Sequence, residues 1–283
     1  MVLPLTAIVT GAARGIGRSI GHRLVQDGYR VAINDIPSST AEIEELVKEL
    51  NSIYVKSKSP VEKSGAPPIR AIAIPGDVTS QSDVAAMISK TVSTLGPLHL
   101  IVANAGKAPV KSLLDSTAED ITDVFACNFN GVFNCYTEAA RQMIAQGDPE
   151  KIFGRQKYKI VGASSIAGFR AFAALGLYSA SKFAVRGLTQ AMAMELASHH
   201  ITVNAYAPGI VGTSMWDEVD RMLGHIEGRA PGETLQHYSK SIALGRTSVP
   251  EDVAGLVGGF LASKDSDYVT GQTMLVDGGI VLT

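Results

Sequence analysis

Cysteine is scarce in this sequence, charge is thin, and no apolar run is long. The 283 residues include only 2 cysteines, Cys127 and Cys135. Both fall in a stretch with a helical pattern, where an eight-residue separation puts the Cα atoms about 12 Å apart, too far for a disulfide. They predict buried thiols in a reducing compartment. Charged residues make up 18%, with 25 Lys and Arg against 27 Asp and Glu, so a net charge of -2 gives no electrostatic ground for a nucleic-acid or anionic-membrane partner. No run approaches the roughly 20 apolar residues of a membrane span. The opening "MVLPLTAIVTGAARG" has no basic leader, and the closing "VDGGIVLT" has neither a prenylation box nor a peroxisomal tripeptide. A cytoplasmic protein is the expectation. The 6 histidines show no ligand spacing, so no metal is expected.

What is present is core material. At 46% apolar with 28 glycines, the chain has ample substance for a packed globule, and 283 residues fit a single α/β domain over 1–283. A small metabolite is the natural ligand for such a surface.

Short β-branched runs alternate with longer helical patterns: "LTAIVT", "RVAIND", "RAIAIPG", "HLIVANAG", "KYKIVGASS", "ITVNAYAPG" and "TMLVDGG". Runs this uniformly apolar suit parallel strands covered on both faces, and they predict a doubly wound (Rossmann) sheet of seven strands. Ser116 to Glu119 reads as a capping box opening a helix that reaches about Ala145, and Pro250 reads as a first-turn residue. Two stretches break the rhythm, about 51–70 and 147–157; both read as surface insertions in loops.

"TAIVTGAARGIGRSIGHRLVQDG" reads as strand, tight turn, helix. Gly11, Gly15 and Gly17 let the backbone approach a pyrophosphate whose charge rests on the first helical amides, at Ile16 and its neighbours. Eighteen residues after Gly17 the second strand ends at Asp35, followed by Ile36. A carboxylate there bonds ribose hydroxyls and repels a 2′-phosphate, which favours NAD(H). Arg14 in the turn pulls the other way, since a guanidinium can pair with that phosphate. After the third strand Asp77 and Val78 stand where an adenine would lie, or else lead into the next helix.

Tyr-x-x-x-Lys occurs twice, at Tyr178 to Lys182 ("YSASK") and at Tyr54 to Lys58 ("YVKSK"). An unperturbed phenol has a pKa of about 10 and is a poor base until a cation stabilises its anion. At i and i+4 of a helix, Tyr178 and Lys182 share a face. Ser165 lies thirteen residues before Tyr178, at the end of the fifth strand where doubly wound folds bind ligands. Tyr54 has Ala41 at the corresponding place, with Pro60 and unperiodic charges around it, and reads as a loop tyrosine.

Together "TGAARGIG", "NAG" at Asn104, Ala105 and Gly106, "CNFNG" around Asn128, "SS", "YSASK", "APGIVGT" and "VTGQTMLVDGG" resemble the short-chain dehydrogenase/reductase family over nearly the whole chain. That resemblance implies a tetrad of Asn128, Ser165, Tyr178 and Lys182. Tyr178 would be the general acid in reduction and the base in oxidation, and Ser165 would polarise the carbonyl. Lys182 would hold the nicotinamide ribose and, with the positive charge of the oxidised ring, lower the Tyr178 pKa, while Asn128 would kink its helix and hold a water of a proton relay. It also implies that Pro208, Gly209, Val211 and Thr213 line the nicotinamide side, and that about 209–247 forms a lid carrying Met215, Trp216, Met222 and Leu223. Two departures concern backbone support: Ala103 precedes Asn104, and His99 stands where the fourth strand commonly opens with Asp.

The later motifs are similar to those of 2,3-butanediol dehydrogenases and acetoin or diacetyl reductases. The residues between Ser165 and Tyr178 are instead apolar: Ile166, Phe169, Phe172 and Leu175. Such a wall suits a larger, greasier alcohol or ketone. Other expectations left open are a 3-oxoacyl thioester reductase, which Asp35 opposes, and a non-catalytic NAD sensor, which the intact tetrad opposes. The helix of Tyr178 carries Ala180, Ala184, Gly187 and Ala191 in a stripe that permits close helix packing. By the resemblance, a homotetramer or dimer would use it together with the helix of Asn128.

Overall fold

Each of the seven apolar runs becomes a parallel strand in a computed structural model that describes residues 3–53 and 69–283. The strands are β1 Thr6–Val9, β2 Arg30–Asp35, β3 Ala71–Pro75, β4 Leu98–Ala103, β5 Tyr158–Ala163, β6 Ile201–Pro208 and β7 Thr273–Val276. They form one sheet in the order β3-β2-β1-β4-β5-β6-β7. The order reverses between β1 and β4, which opens a crevice at the carboxyl ends of those two strands.

Strand alternation divides the core in two. Ala7, Val9, Val31 and Ile33 point to one face, under Ile20 and Leu24 of α1 (Gly15–Gln26), Leu46 of α2 (Thr40–Ser52) and Val253 of the helix at Pro250–Leu256. Ile8, Ala32, Ile101 and Ile160 point to the other, under Met87 of α3 (Gln81–Leu95), Tyr136 and Met143 of the helix at Gly131–Gln146, and Val185 of the helix at Gly176–Leu196. Covered on both sides, β1, β4 and β5 are buried at every position.

Three local expectations need correction. The capping box is one residue later than Ser116 to Glu119: Thr117 caps α4 (Ala118–Phe125) and pairs with Asp120, because the Ser116 hydroxyl is taken by the Ser112 carbonyl at 2.9 Å. The helix toward Ala145 is continuous but not uniformly α-helical, since a π-helical turn at Ala126–Asn130 joins α4 to α5 (Gly131–Gln146). That turn contains Cys127, which is only partly buried rather than buried as expected, whereas Cys135 in α5 is buried; both thiols are free. The stretch 147–157 is more than a loop: Asp148 caps α6 (Pro149–Phe153), whose Phe153 is buried.

Phe153 packs edge-on to His99, with ring centroids 5.2 Å apart, and to Tyr158 at 6.0 Å. His99 is therefore a core residue, bonded to Tyr29 at 3.3 Å, and burial pushes its pKa down to about 3. The rest of the chain supplies α7 (Gly176–Leu196), α8 (Ser214–Glu227), α9 (Glu233–Ser239) and α10 (Pro250–Leu256), with Pro250 in the first turn. Most of the 51–70 insertion, with Tyr54 and Lys58, lies outside the described residues. Among the described residues no helix is long and apolar enough to cross a membrane.

Candidate active site

The glycine turn follows β1, and its backbone is as tight as the spacing requires. Gly11 and Gly15 adopt left-handed φ of +61° and +56°. A Cβ on Gly17 would stand 2.4 Å from the Gly11 carbonyl oxygen, so only hydrogen fits there. Arg14 is the N-cap of α1 but offers no side-chain acceptor, and the first turn carries no acidic residue. The amides at Gly15, Ile16 and Gly17 are thus left for an outside anion, which fits a dinucleotide's pyrophosphate.

Asn104 pins this turn from the end of β4. Its side-chain amide donates to the Thr10 and Gly11 carbonyls, both at 2.9 Å, and its Oδ1 accepts from the Tyr206 hydroxyl at 2.7 Å. Thr10, which sequence reasoning passed over, accepts from the backbone of Asn104 and Ala105. Asp35 sits at the end of β2, accepting from Ala13 N and Ile36 N at 2.9 Å each. Its carboxylate is fixed beside the glycine turn. Ile36 is exposed next to it. Asp77 and the buried Val78 follow β3, with the Val78 carbonyl held by Asn134 at 2.9 Å. Exposed Arg14 reaches the opposite flank, a groove of about 810 Å³ along α1 that also involves Arg18, His22 and Thr213.

Ser165, Tyr178 and Lys182 meet at the carboxyl end of β5. Ser165 is the second residue past that strand's end, and its Oγ accepts from Ala167 N at 3.1 Å, which leaves its proton free to point elsewhere. Burial pushes the Tyr178 phenol above its ordinary value, opposed by the hydrogen-bonding Ser165 hydroxyl. Lys182 lies one turn along α7, with Nζ 5.6 Å from the Tyr178 ring centre and 2.8 Å from the Ala163 carbonyl. Burial pushes its pKa down to about 8. The Lys182 ammonium donates to a β5 carbonyl, and the Ser165 hydroxyl is the hydrogen-bonding group that draws the phenol down.

Asn128 occupies the middle of the π-helical turn, so the expected kink is present. Its amide makes three hydrogen bonds, accepting from Lys107 N and donating to Lys107 O, both at 2.9 Å, and donating to Ser181 Oγ at 3.1 Å. The Ser181 hydroxyl in turn donates to the Tyr178 carbonyl at 2.6 Å. Asn128 therefore ties the loop after β4 to α7. A Cβ on Gly106 would stand 3.2 Å from Asn128 Oδ1 and 3.4 Å from Lys182 Nζ, so both groups border the Gly106 backbone.

The lid reading resolves residue by residue. Pro208 closes β6, Gly209 packs against Asp277, where a Cβ would come within 2.8 Å, and Val211 is buried. The Thr213 methyl faces Gly15, at 3.3 Å from a Cβ built there, so lid and glycine turn touch. In α8, Val219 and Leu223 are buried with Val110, and Trp216, Met222, Ala108, Ala174, Leu175 and Tyr238 close around them. Met215 is exposed and stands outside this cluster. Ile166 is buried beside Ser165, and Phe172 N donates to Ser179 Oγ at 3.4 Å. Phe169 leaves the apolar wall, because its ring stacks on Arg186 at 3.7 Å. The stretch 107–111 was missed as a wall; Lys111 N bonds the Ala174 carbonyl at 2.8 Å and brings Val110 to Leu175.

Residues 5–224 match the model of the short chain dehydrogenase family. The chain is a short-chain dehydrogenase. This short-chain dehydrogenase is 44% identical over 275 residues to the L-2,3-butanediol dehydrogenase of Corynebacterium glutamicum, covering 97% of this chain and 98% of that one. It is 39% identical over 277 residues to a diacetyl reductase [(S)-acetoin forming] of Staphylococcus epidermidis, covering 98% of each. A crystal structure of a short-chain type dehydrogenase/reductase from Mycobacterium marinum superposes over 100% of this chain and 97% of that one, with a TM-score of 0.83 at 28% identity. The protein is thus an oxidoreductase of this family.

Proposed function

We propose that the protein interconverts a secondary alcohol and a ketone with NAD(H), with Tyr178 as the general acid and base. The observation that carries this reading is the convergence of Ser165, Tyr178 and Lys182 at the end of β5, beside the glycine turn. When bound, NAD(H) supplies or accepts the hydride. Gly11, Arg14, Gly15, Ile16 and Gly17 would hold its pyrophosphate, Asp35 and Ile36 its adenosine ribose, and Asp77 and Val78 its adenine. Asn104, Ala105, Gly106, Pro208, Gly209, Val211 and Thr213 would border the nicotinamide half, with Tyr178 and Lys182 on its ribose.

In reduction, the Tyr178 phenol gives its proton to the substrate oxygen; in oxidation, its anion takes one from the alcohol. The Ser165 hydroxyl, with its single proton, donates either to the substrate oxygen or to the phenolate, stabilising negative charge on whichever it faces. Lys182 holds a positive charge below about pH 8, where the active site uses it. Asn128 keeps Lys107 and Ser181, and through Ser181 the start of α7, in register.

For the substrate we favour a small ketone or hydroxyketone of the acetoin type, supported by two relatives named for butanediol and diacetyl that match over nearly their full length. A larger apolar ketone is the second reading, favoured by Ile166, Leu175, Trp216 and Met222 around the opening. A panel of NADH oxidation with diacetyl, acetoin, acyl thioesters and bulky cyclic ketones separates them. Diacetyl or acetoin is expected to lead; a lead by acyl thioesters would instead favour the thioester reductase, and turnover of none would favour the sensor. NADH is expected to be preferred over NADPH, and Asp35→Ser to narrow that gap by about tenfold, since removing like-charge repulsion is worth a few kcal/mol at most at a partly exposed carboxylate. A wild-type preference for NADPH would overturn the role given to Asp35. A homotetramer or dimer built on α5 and α7, in the cytoplasm, completes the proposal; Gly187 has open space above it and Met194 is exposed on the same helix.

A further inference from the structure

Two turns beyond Tyr178 on α7, Arg186 makes contacts that neither the proton chemistry nor the cofactor explains. Its guanidinium carbon lies over the Phe169 ring, 3.7 Å from the centre, and 5.9 Å from the centre of the Phe183 ring. Nη1 donates to the Gly168 carbonyl at 2.7 Å, and Nε is buried with no partner. Among the described residues no carboxylate pairs with it. A partly buried arginine that spends its charge on one carbonyl and one aromatic face is holding that peptide in place.

The peptide is the end of the 3-10 turn Ile166–Gly168, whose N-cap is Ser165. The turn is seated directly on α7: Ser164 Oγ donates to the Lys182 carbonyl at 3.0 Å, and a Cβ on Gly168 would stand 2.7 Å from that same oxygen. With so little clearance, the turn moves as a unit, and Ser165 moves with it. The far end of the unit is tied down by Arg186, while the near end is tied by Ser164. We infer that Arg186 is a positioning residue that sets the Ser165 hydroxyl against the Tyr178 phenol by clamping the turn that follows Ser165. Lysine cannot substitute, because it lacks the flat face that Phe169 covers.

This inference rests on the roles proposed for Ser165 and Tyr178, and the test separates the two. Arg186→Met keeps the apolar stem and removes the clamp. In the reduction assay, kcat is expected to fall about 10- to 100-fold, as for a reacting group displaced by up to an ångström, while KM for NADH holds. In the oxidation direction, the limb of the pH profile that reports Tyr178 is expected to move to higher pH, because the Ser165 hydrogen bond that lowers the phenol pKa is loosened. Arg186→Lys should not restore either. In a Ser165→Ala background, Arg186→Met should cost nothing further. An Arg186→Met enzyme with wild-type kcat and an unmoved limb overturns the inference, as does a loss of kcat that tracks a lowered melting temperature with the limb in place. If Ser165→Ala itself turns over normally, it is the catalytic reading that has failed.

Discussion

Two lysines are buried at opposite ends of one strand. Lys159 near the start of β5 is 1% exposed, and Lys182 against the end of β5 is 3% exposed. Lys159 meets Asp267 at 2.6 Å and Ser266 at 3.0 Å, at the end of the sheet where His99 packs against Tyr29 and Phe153. Lys182 has no carboxylate partner among the described residues; it has one carbonyl and the crevice. Burial lowers the pKa of both. The shift is therefore not the mark of function, since His99, pushed down to about 3, is shifted further than Lys182 although it is buried in the core. What distinguishes the two ends is whether the buried charge is already neutralised.

The largest expected effect breaks the upper end. Tyr178→Phe should lower turnover on the order of 10²–10⁴-fold with the fold intact, the usual worth of a placed acid or base. Tyr29→Phe removes a hydroxyl that donates to the Ala262 carbonyl at 2.7 Å and should leave turnover per folded molecule unchanged. Steady-state rates with unfolding curves distinguish them. Equal losses of kcat in the two variants would erase the contrast.

Phe153→Ala should do the reverse, costing about 3–5 kcal/mol in urea unfolding while kcat stays at wild type, because it empties the space between His99 and Tyr158. The plug was not legible in the sequence, where "GDPEKIFGRQK" shows one aromatic among polar residues and no period. By contrast, all seven strands were legible, because strands buried on both faces must be apolar throughout. The Tyr178 and Lys182 face was legible for a similar reason, as helical spacing is a local property. The π-helical turn at Asn128 was not, since it depends on where Lys107 and Ser181 stand once the sheet is assembled. Nor was the Phe169 and Arg186 stack, which joins residues from a loop and a helix whose approach is tertiary. The one-residue slip from Ser116 to Thr117 has a simpler origin, for both registers satisfy the same capping pattern and only the Ser112 carbonyl decides.

Stability of the lower end should depend on pH through His99. Its folded pKa, about 3, lies below the ordinary value of 6.5, so the unfolded chain takes up the proton first. The contribution is fully present above about pH 6.5 and is lost as pH falls toward about 3. His99→Leu should flatten that slope of unfolding free energy against pH, measured in denaturant titrations between about pH 3.5 and 7, roughly the window between the two values. An unchanged slope would mean that other groups carry the acid sensitivity.

The smallest effect should come from Lys159 itself, and it is the sharpest comparison. Removing one partner of a buried pair costs about 3–5 kcal/mol when the other is stranded without water. Asp267, however, keeps 18% of its side chain exposed, so after Lys159→Met it can be hydrated, and the cost should shrink to about 1 kcal/mol. The double variant Lys159→Met with Asp267→Asn should regain most of that, since neither charge is then left to desolvate. Lys182→Met breaks no ion pair among the described residues, yet should abolish most turnover because its charge is kept for the crevice. Should Lys159→Met lower kcat per folded molecule while Lys182→Met only destabilises, the assignment of the two ends of β5 is reversed.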